Sequence, residues 1–460
     1  MLVSKLERSL GIEFYATGSE GIGGNIRQSP EDFVVEEILA DGSKAEVETE
    51  GGAKETVLGA TLRRDRYLLC ILVKRNWDTF IALGNIARQL GINPLQVQIA
   101  GIKDAKAVTA QYITIENASM EDAQNFKLKD MEIRPLGYVR NRLSPYYLRG
   151  NSFSITIRNI KHRKSTISKR ILKTIKDIDE LGGIPNFFGH QRFGTTRPIT
   201  HLVGKALVNG DLKKATLLFL AKPSKYEHPL SRQARQELRK TQDFKQALKN
   251  FPKQLRYERL MLRCLSENHT DFSGAFRRLP IRLRRIFIQA YQSYLFNKFL
   301  SSRIRHGLFM NRAEIGDYAV NIERSGVPMP AMHKTVSREN HAEINREIQA
   351  GKMRLALPLI GARQPPSQGI QGEFEREILR TESISPQSFG VAAMPDMSSK
   401  GELRAMVTPV QNFHLVDVFE DSTKSSRQAA KVTFTLYRGS YATVVLRELI
   451  KTNRPIKAGF

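Results

Sequence analysis

One short run combines a carboxylate, two cations and little bulk: Gly101-Ile102-Lys103-Asp104-Ala105-Lys106-Ala107-Val108-Thr109-Ala110-Gln111. Nearby cations favour the charged form of a carboxylate, so the chemistry this run could carry is that of an ionised aspartate. Taken alone, it reads as a surface turn with local ion pairs. Other signatures fail. Gly21-Ile22-Gly23-Gly24 lacks the spacing, the preceding strand and the downstream acid of a dinucleotide site and reads as a flexible loop; no Walker lysine motif occurs. The nine histidines have no metal-ligand spacing, and Cys70 and Cys264 stand far apart, each reading as a buried free thiol. Any chemistry is therefore expected from ordinary side chains, without metal or cofactor.

The surrounding pattern supplies elements to position that run. A turn at Ser29-Pro30-Glu31-Asp32 leads into a strand over Phe33 to Glu37, and Asp41-Gly42 marks a loop. Arg66 to Lys74 reads as a strand, followed by a helix capped at Asp78 or Thr79 that buries Phe80, Leu83, Ile86 and Leu90 before Gly91 ends it. Val97 to Ala100 and Gln111 to Ile115 read as strands, the latter alternating, which places the 101 to 106 connection at a strand end, where loops carry function. Asn151 to Ile160 alternates as a strand, and Ser165 to Leu181 carries the helical stripe Ile167, Ile171, Leu172, Ile175 and Ile178, closed by Gly182-Gly183. From His201 to Arg305 the pattern is mostly helical and ends in an acid-poor amphipathic helix from Ile281. Residues 306 to 410 read as an irregular part of the same module, with a short strand at Lys352 to Leu357 and a polar stretch from Arg363 to Gly372. Val432, Phe434 and Leu436 then alternate, and Tyr441 to Lys451 reads as a helix through Val445, Leu446, Leu449 and Ile450, a tail suited to completing the N-terminal sheet.

The charge balance points to a polyanion: 72 Lys+Arg against 46 Asp+Glu leave +26 over 460 residues. Arg134 to Lys176 holds twelve Lys/Arg and no acid, and Phe272 to Ala313 holds nine and no acid. Solvated faces or a membrane-surface patch would give such segments, but both interleave aromatics: Tyr138, Tyr146, Tyr147 and Phe153 in the first, Phe287, Tyr291, Tyr294 and Phe296 in the second. Cations neutralise phosphates and aromatics stack on unpaired bases, so nucleic acid is the better reading. No apolar run is long enough to span a membrane and the first ten residues lack a hydrophobic signal core, from which a cytoplasmic protein is expected.

The 101 to 111 run resembles the signature of the TruD-type pseudouridine synthases: a glycine, Lys-Asp, then spaced Ala, Thr and Gln. Four further segments resemble the family in its order, namely Ile26 to Glu36, Asn186-Phe187-Phe188-Gly189-His190-Gln191-Arg192-Phe193-Gly194, Ala290 to Asn297 and Gly439 to Glu448. Together they cover residues 26 to 448.

The resemblance implies an α+β fold, a mixed, largely antiparallel sheet catalytic domain interrupted by an inserted, helix-rich TRUD domain. The expected boundaries are 1–185 and 411–460 for the two catalytic parts and 186–410 for the insert. It implies that Asp104 is a nucleophile, with Arg27, where the family more often has Lys, as its basic partner beside Lys103. Phe188 would stack on an extruded uracil, and Asn186 would shape the pocket. Gln191, Arg192 and Arg447 are read as pocket scaffold or phosphate contacts, and Phe187 stands where the family more often has Tyr. The implied reaction converts uridine, at position 13 of tRNA, to pseudouridine without cofactor, by a monomer resembling the archaeal and eukaryotic branch. A non-catalytic RNA-binding or RNA-chaperone protein on the same fold is the rival, and a methyltransferase is disfavoured by the missing nucleotide loop.

Overall fold

The computed structural model describes residues 3–48 and 57–460. Its strands in chain order are β1 Phe33–Leu39, β2 Tyr67–Arg75, β3 Val97–Ile99, β4 Val108–Glu116, β5 Met131–Val139, β6 Leu148–Ile160, β7 Ile184–Pro185, β8 Tyr318–Ile322, β9 Pro328–Thr335, β10 Met353–Leu359, β11 Glu402–Ala405, β12 Val407–Thr408, β13 Gln411–Glu420 and β14 Gln428–Tyr437. The helices are α1 Lys5–Ser9, α2 Thr79–Gln89, α3 Met120–Gln124, α4 Lys164–Glu180, α5 Thr200–Val208, α6 Leu212–Ala221, α7 Pro229–Thr241, α8 Phe244–Asn250, α9 Arg256–Glu267, α10 Phe272–Arg277, α11 Ile281–Arg305, α12 His341–Gln349, α13 Gly369–Thr381 and α14 Ala442–Ile450.

The large sheet runs β13-β14-β6-β1-β4-β2-β5, with β3 added on β4. Only β1 against β4 is parallel; the other pairings in this sheet are antiparallel. The sheet is thus mixed and largely antiparallel, and the tail strand β14 pairs with β6, which adds the tail to the N-terminal sheet. Period two explains why β2 is apolar from Tyr67 to Val73: Leu68, Cys70 and Leu72 pack with α2, while Leu69 and Ile71 pack on the other face with Tyr112, Ala110 and Leu39. β4 is likewise buried on both faces from Val108 to Ile115, so the expected half-exposed alternation there is corrected. In α2 the cap is Asp78, whose carboxylate accepts from Phe80 and Ile81 N–H. The buried stripe is Ala82, Leu83, Ile86 and Ala87; Phe80, expected inside, is exposed on the first turn, at the edge of that stripe.

Residues 184 to 408 begin and end in a two-stranded ribbon, β7 with β12. Between them lie α5 to α11 and a second antiparallel sheet, β11-β10-β8-β9, so the stretch 306 to 410 is more regular than its Gly/Pro-rich sequence suggests. α11 is the axis of this region. Its charged first turns are partly exposed, but from Phe287 to Arg303 nearly every face is buried, which corrects the amphipathic reading. The polar residues that suggest a wet face are buried and bonded: Gln292 Nε2 donates to Ile360 O, Ser301 Oγ to Gly11 O, and Arg303 pairs with Asp317. Gly21 to Gly24 is no loose loop either. Ile22 and Gly23 N–H donate to Leu449 and Ile450 carbonyls, and a Cβ on Gly21 would lie 2.5 Å from Ile450 O. Both cysteines are buried free thiols.

Candidate active site

The loop between β3 and β4 carries Asp104, and side chains from three elements pin it. Gln111 Nε2 on β4 donates to Gly101 O at 3.1 Å, Thr79 Oγ1 at the start of α2 donates to Lys103 O at 3.1 Å, and Lys74 Nζ on β2 donates to Asp104 O at 2.9 Å. The backbone is thus fixed before its side chain does anything. Burial lowers the Lys74 ammonium to about 8, against the upward pull of Asp104.

The carboxylate receives two donors on one oxygen. Arg27 Nη2 and Gln191 Nε2 each lie 2.7 Å from Asp104 Oδ1. Among the described residues no donor reaches Oδ2, and the side chain keeps 22% exposure. Arg27 has a left-handed backbone, φ 57°, which a non-glycine residue adopts at a cost of about 1–3 kcal/mol. Its Nη1 donates to Gly459 O at 3.0 Å and its guanidinium lies 4.0 Å over the Phe33 ring, so the C-terminal turn and β1 aim it. Burial lowers the Arg27 pKa, with Asp104 opposing that shift.

Around this pair is a cavity of about 150 Å³ whose lining includes Arg27, Asp104, Gln191, Phe33, Asn151, Phe153 and Tyr441. A larger cavity, about 580 Å³, lies between α6 and α7 over Leu217, Leu218 and Ala221, rimmed by Lys213, Lys214, Lys222 and Arg239. It has no buried cation aligned on a carboxylate, so chemistry is assigned to the smaller one. Among the described residues no group of three or more His, Cys, Asp and Glu is placed to hold a metal, and no helix is long and apolar enough to cross a membrane.

Of the sequence-nominated residues, Asp104, Arg27 and Gln191 meet directly. Lys103 does not face Asp104: its ammonium is buried 2.6 Å from Glu37 Oε1 on β1, so the cations beside Asp104 in sequence are not its partners. Asn186 lies outside the cavity lining, its Nδ2 donating to Ala405 O and its Oδ1 accepting from Arg404 Nη2 at 2.6 Å. Phe188 is 6% exposed and also lies outside the lining, edge-on to Tyr441 at 6.2 Å with the Arg404 guanidinium 4.0 Å over its ring. Asn297 on α11 clamps its backbone, accepting from Phe188 N–H and donating to Phe188 O. Phe187 is buried in the core. Arg192 donates to Ser293 Oγ on α11. Arg447 is 3% exposed and bonded to Glu7, Glu448 and Phe14 O, a buried scaffold position outside the cavity lining.

Sequence reasoning missed Lys74, Arg404, Asn151 and Tyr441 as site residues. Lys74 left a signal, an ammonium that follows the unbroken apolar run Tyr67 to Val73; Arg404 left none, since it meets Asn186 across 218 residues of chain. The basic segments are only partly free. Arg158 pairs with Asp32 and Asp421, Arg170 with Glu20, Arg284 with Asp396, Lys298 and Arg305 with Glu13, and Arg303 with Asp317. Arg140, Arg142, Lys161, Arg163, Lys164, Lys169 and Lys173 stay exposed. Of the interleaved aromatics, Tyr146 is largely exposed while Tyr138, Phe153, Phe287, Tyr291 and Phe296 are core.

Comparison with known proteins finds a family match over residues 9–449, to the model described as tRNA pseudouridine synthase D (TruD). A relative of that name from Methanosarcina barkeri is 38% identical over 453 residues, covering 98% of this chain and 99% of its own length. One from Pyrococcus abyssi is 34% identical, covering 95% and 98%. The crystal structure of TruD from Methanosarcina mazei superposes with a TM-score of 0.82 at 37% identity, covering 98% of this chain and 99% of that one.

Proposed function

Because the chain belongs to the TruD family of tRNA pseudouridine synthases, and so is an isomerase that converts uridine to pseudouridine, we propose that Asp104 is its nucleophile and uridine 13 of tRNA its target. The observation that carries this is the asymmetric bonding of one carboxylate: Oδ1 is held by Arg27 and Gln191 while Oδ2 has no donor among the described residues, and the residue lines a cavity of about 150 Å³.

In this reading Oδ2 attacks C1′ of the ribose, the C1′–N1 bond breaks, and N1 leaves with the electron pair. The resulting ester splits one difficult displacement into two. The uracil turns, C5 gives an electron pair to C1′ and the carboxylate departs. The C5 proton is lost and N1 gains one, so composition is unchanged. Arg27 and Gln191 orient the carboxylate without taking a proton.

The uridine has to leave its stack to reach this site. Tyr441 lines the cavity and Phe188 packs edge-on against it, so the stacking role assigned to Phe188 lies one ring away from the cavity lining. Asn186 acts through Arg404, Lys103 and Arg447 hold the scaffold, and Arg192 fixes the Gln191 turn to α11. Residues 186–410 are proposed as the inserted domain between catalytic parts 1–185 and 411–460, a division supported by the β7–β12 ribbon at its two ends. We place the enzyme, as a monomer without cofactor, in the cytoplasm with its tRNA.

The test is Asp104→Asn with tRNA transcripts. Pseudouridine formation is expected to vanish while tRNA binding stays within about twofold. Turnover by the variant at more than a trace would remove Asp104 from the chemistry. Parallel loss of binding would assign it to RNA contact, as the non-catalytic rival requires.

A further inference from the structure

β6 places Asn151 on a buried sheet face that mixes polar side chains, Glu37 among them, with apolar ones. Asn151 pairs with Glu37 on β1 and Leu436 on β14, so it shares a sheet face with Phe153, Val35 and Phe434. It lines the cavity that holds Asp104. Its amide Oδ1 is buried and accepts no hydrogen bond among the described residues. A buried acceptor without a donor is uncommon and calls for a missing partner. Two neighbours on the same face, Thr109 and Gln111, also carry a partnerless oxygen, but neither lines the cavity. Of the three, Asn151 is the residue that belongs to the cavity lining.

The reaction defines which donor that ligand brings. Uracil presents N3–H between two carbonyls on the edge opposite C6. Conversion to pseudouridine exchanges N1 for C5 at the ribose, and those atoms interchange by a half-turn about the axis through N3 and C6. The same half-turn interchanges O2 and O4 and leaves N3–H in place. An amide facing this edge therefore accepts from N3–H throughout and donates to one carbonyl before the turn and the other after it. When N1 leaves with the C1′–N1 pair, charge spreads onto both carbonyl oxygens, and a hydrogen bond to a charged acceptor strengthens.

We propose that Asn151 reads the N3–H and carbonyl edge of the target uracil and holds the detached base on its axis of rotation. It is a specificity-determining and positioning residue for uracil against cytosine, whose N3 is an acceptor and whose N4 is a donor. The proposal rests on the assignment of Asp104 above.

The experiment crosses Asn151→Ala and Asn151→Asp with two tRNA transcripts, one carrying uridine and one N3-methyluridine at the target position. Rates are read in single turnover together with tRNA affinity. Wild type is expected to convert uridine at least about 100-fold faster than the methylated base, because a site built for a donor rejects the analogue lacking it. In Asn151→Ala the uridine rate falls about 100-fold, the N3-methyluridine rate does not fall, and discrimination shrinks to within about threefold. Asn151→Asp keeps an acceptor for N3–H but loses the donor, so it retains discrimination at a reduced uridine rate. A role confined to folding would lower both rates equally and leave the ratio intact, which would overturn the proposal. Wild-type conversion of N3-methyluridine at the uridine rate would overturn it too. Asp104→Asn separates the two readings: if it is inactive while Asn151→Ala keeps full discrimination, only the inference on Asn151 falls.

Discussion

Two guanidinium–carboxylate sites in this molecule use the same chemistry to opposite ends. Around Arg447 every polar group is used. Its Nε donates to Glu7, Nη1 to Glu448 and Nη2 to Phe14 O, and Tyr15 lies 4.1 Å beneath the guanidinium. Glu7 also accepts from Ser4, and Glu448 from Ala16 and Thr17, which stitches residues 4 to 17 onto α14. Around Arg27 the account is left open among the described residues: its Nε is buried without an acceptor, Asp104 Oδ2 has no donor, and Asn151, in the lining of the same cavity, keeps a buried Oδ1 without a donor. A structural pair is stable because it is saturated. A reactive pair holds unsatisfied groups in reserve for a ligand, and the surrounding fold bears the cost.

The contrast breaks most sharply under substitution at each centre. Asp104→Asn is expected to lower pseudouridine formation by at least about 10⁴-fold, as nucleophile replacements do, while thermal unfolding moves little, since the side chain is partly exposed and only one oxygen is bonded. Arg447→Met should do the reverse. Removing one partner of a buried pair strands two carboxylates and costs about 3–5 kcal/mol. Denaturant titration should show that loss with activity per folded molecule near wild type. A stable Arg447→Met, or an unfolded Asp104→Asn, would erase the distinction.

Arg27→Lys sharpens it at smaller amplitude. Lysine keeps the charge but lacks the fork that reaches Gly459 O and Asp104 together. Losing one such bond, about 1–1.5 kcal/mol, predicts a rate lowered roughly tenfold with tRNA affinity unchanged. An undiminished rate would show that charge alone serves Asp104.

How far these two centres can be read from sequence differs for a physical reason. Asp104, Arg27 and Gln191 belong to local runs whose residue order is distinctive, so the open site announces itself. What closes the other site is long-range. Glu7 meets Arg447 across 440 residues, and nothing in a polar start such as Ser4-Lys5-Leu6-Glu7 says that Glu7 is 1% exposed. The same limit produced the amphipathic reading of α11. A run with Gln292, Ser293, Asn297, Ser301 and Ser302 has the composition of a solvated face, yet Gln292, Asn297 and Ser301 are buried against partners from distant segments and Ser293 donates to its own helix at Gln289 O. Lys103 shows the converse error, in which adjacency in sequence suggested a pairing that strand geometry gives to Glu37.

Lys74 lies between the two kinds of centre, and its titration says which it resembles. It is buried, donates to Trp77 O and Asp104 O, and has no carboxylate in direct contact among the described residues, so burial outweighs the more distant Asp104 and Asp78 and lowers its pKa from 10.5 to about 8. A lysine depressed in the folded state penalises folding fully below pH 8, where both states are protonated only at native expense. Between pH 8 and 10.5 the unfolded chain binds the proton that the native one has released, so the penalty disappears and stability contributed at this position rises with pH. The interval corresponds to about 3 kcal/mol. Denaturant titrations of wild type and Lys74→Met across that range should therefore show their difference shifting in favour of wild type as pH rises. A flat difference would mean that Lys74 keeps its ordinary pKa, and that its environment is as well compensated as that of Arg447.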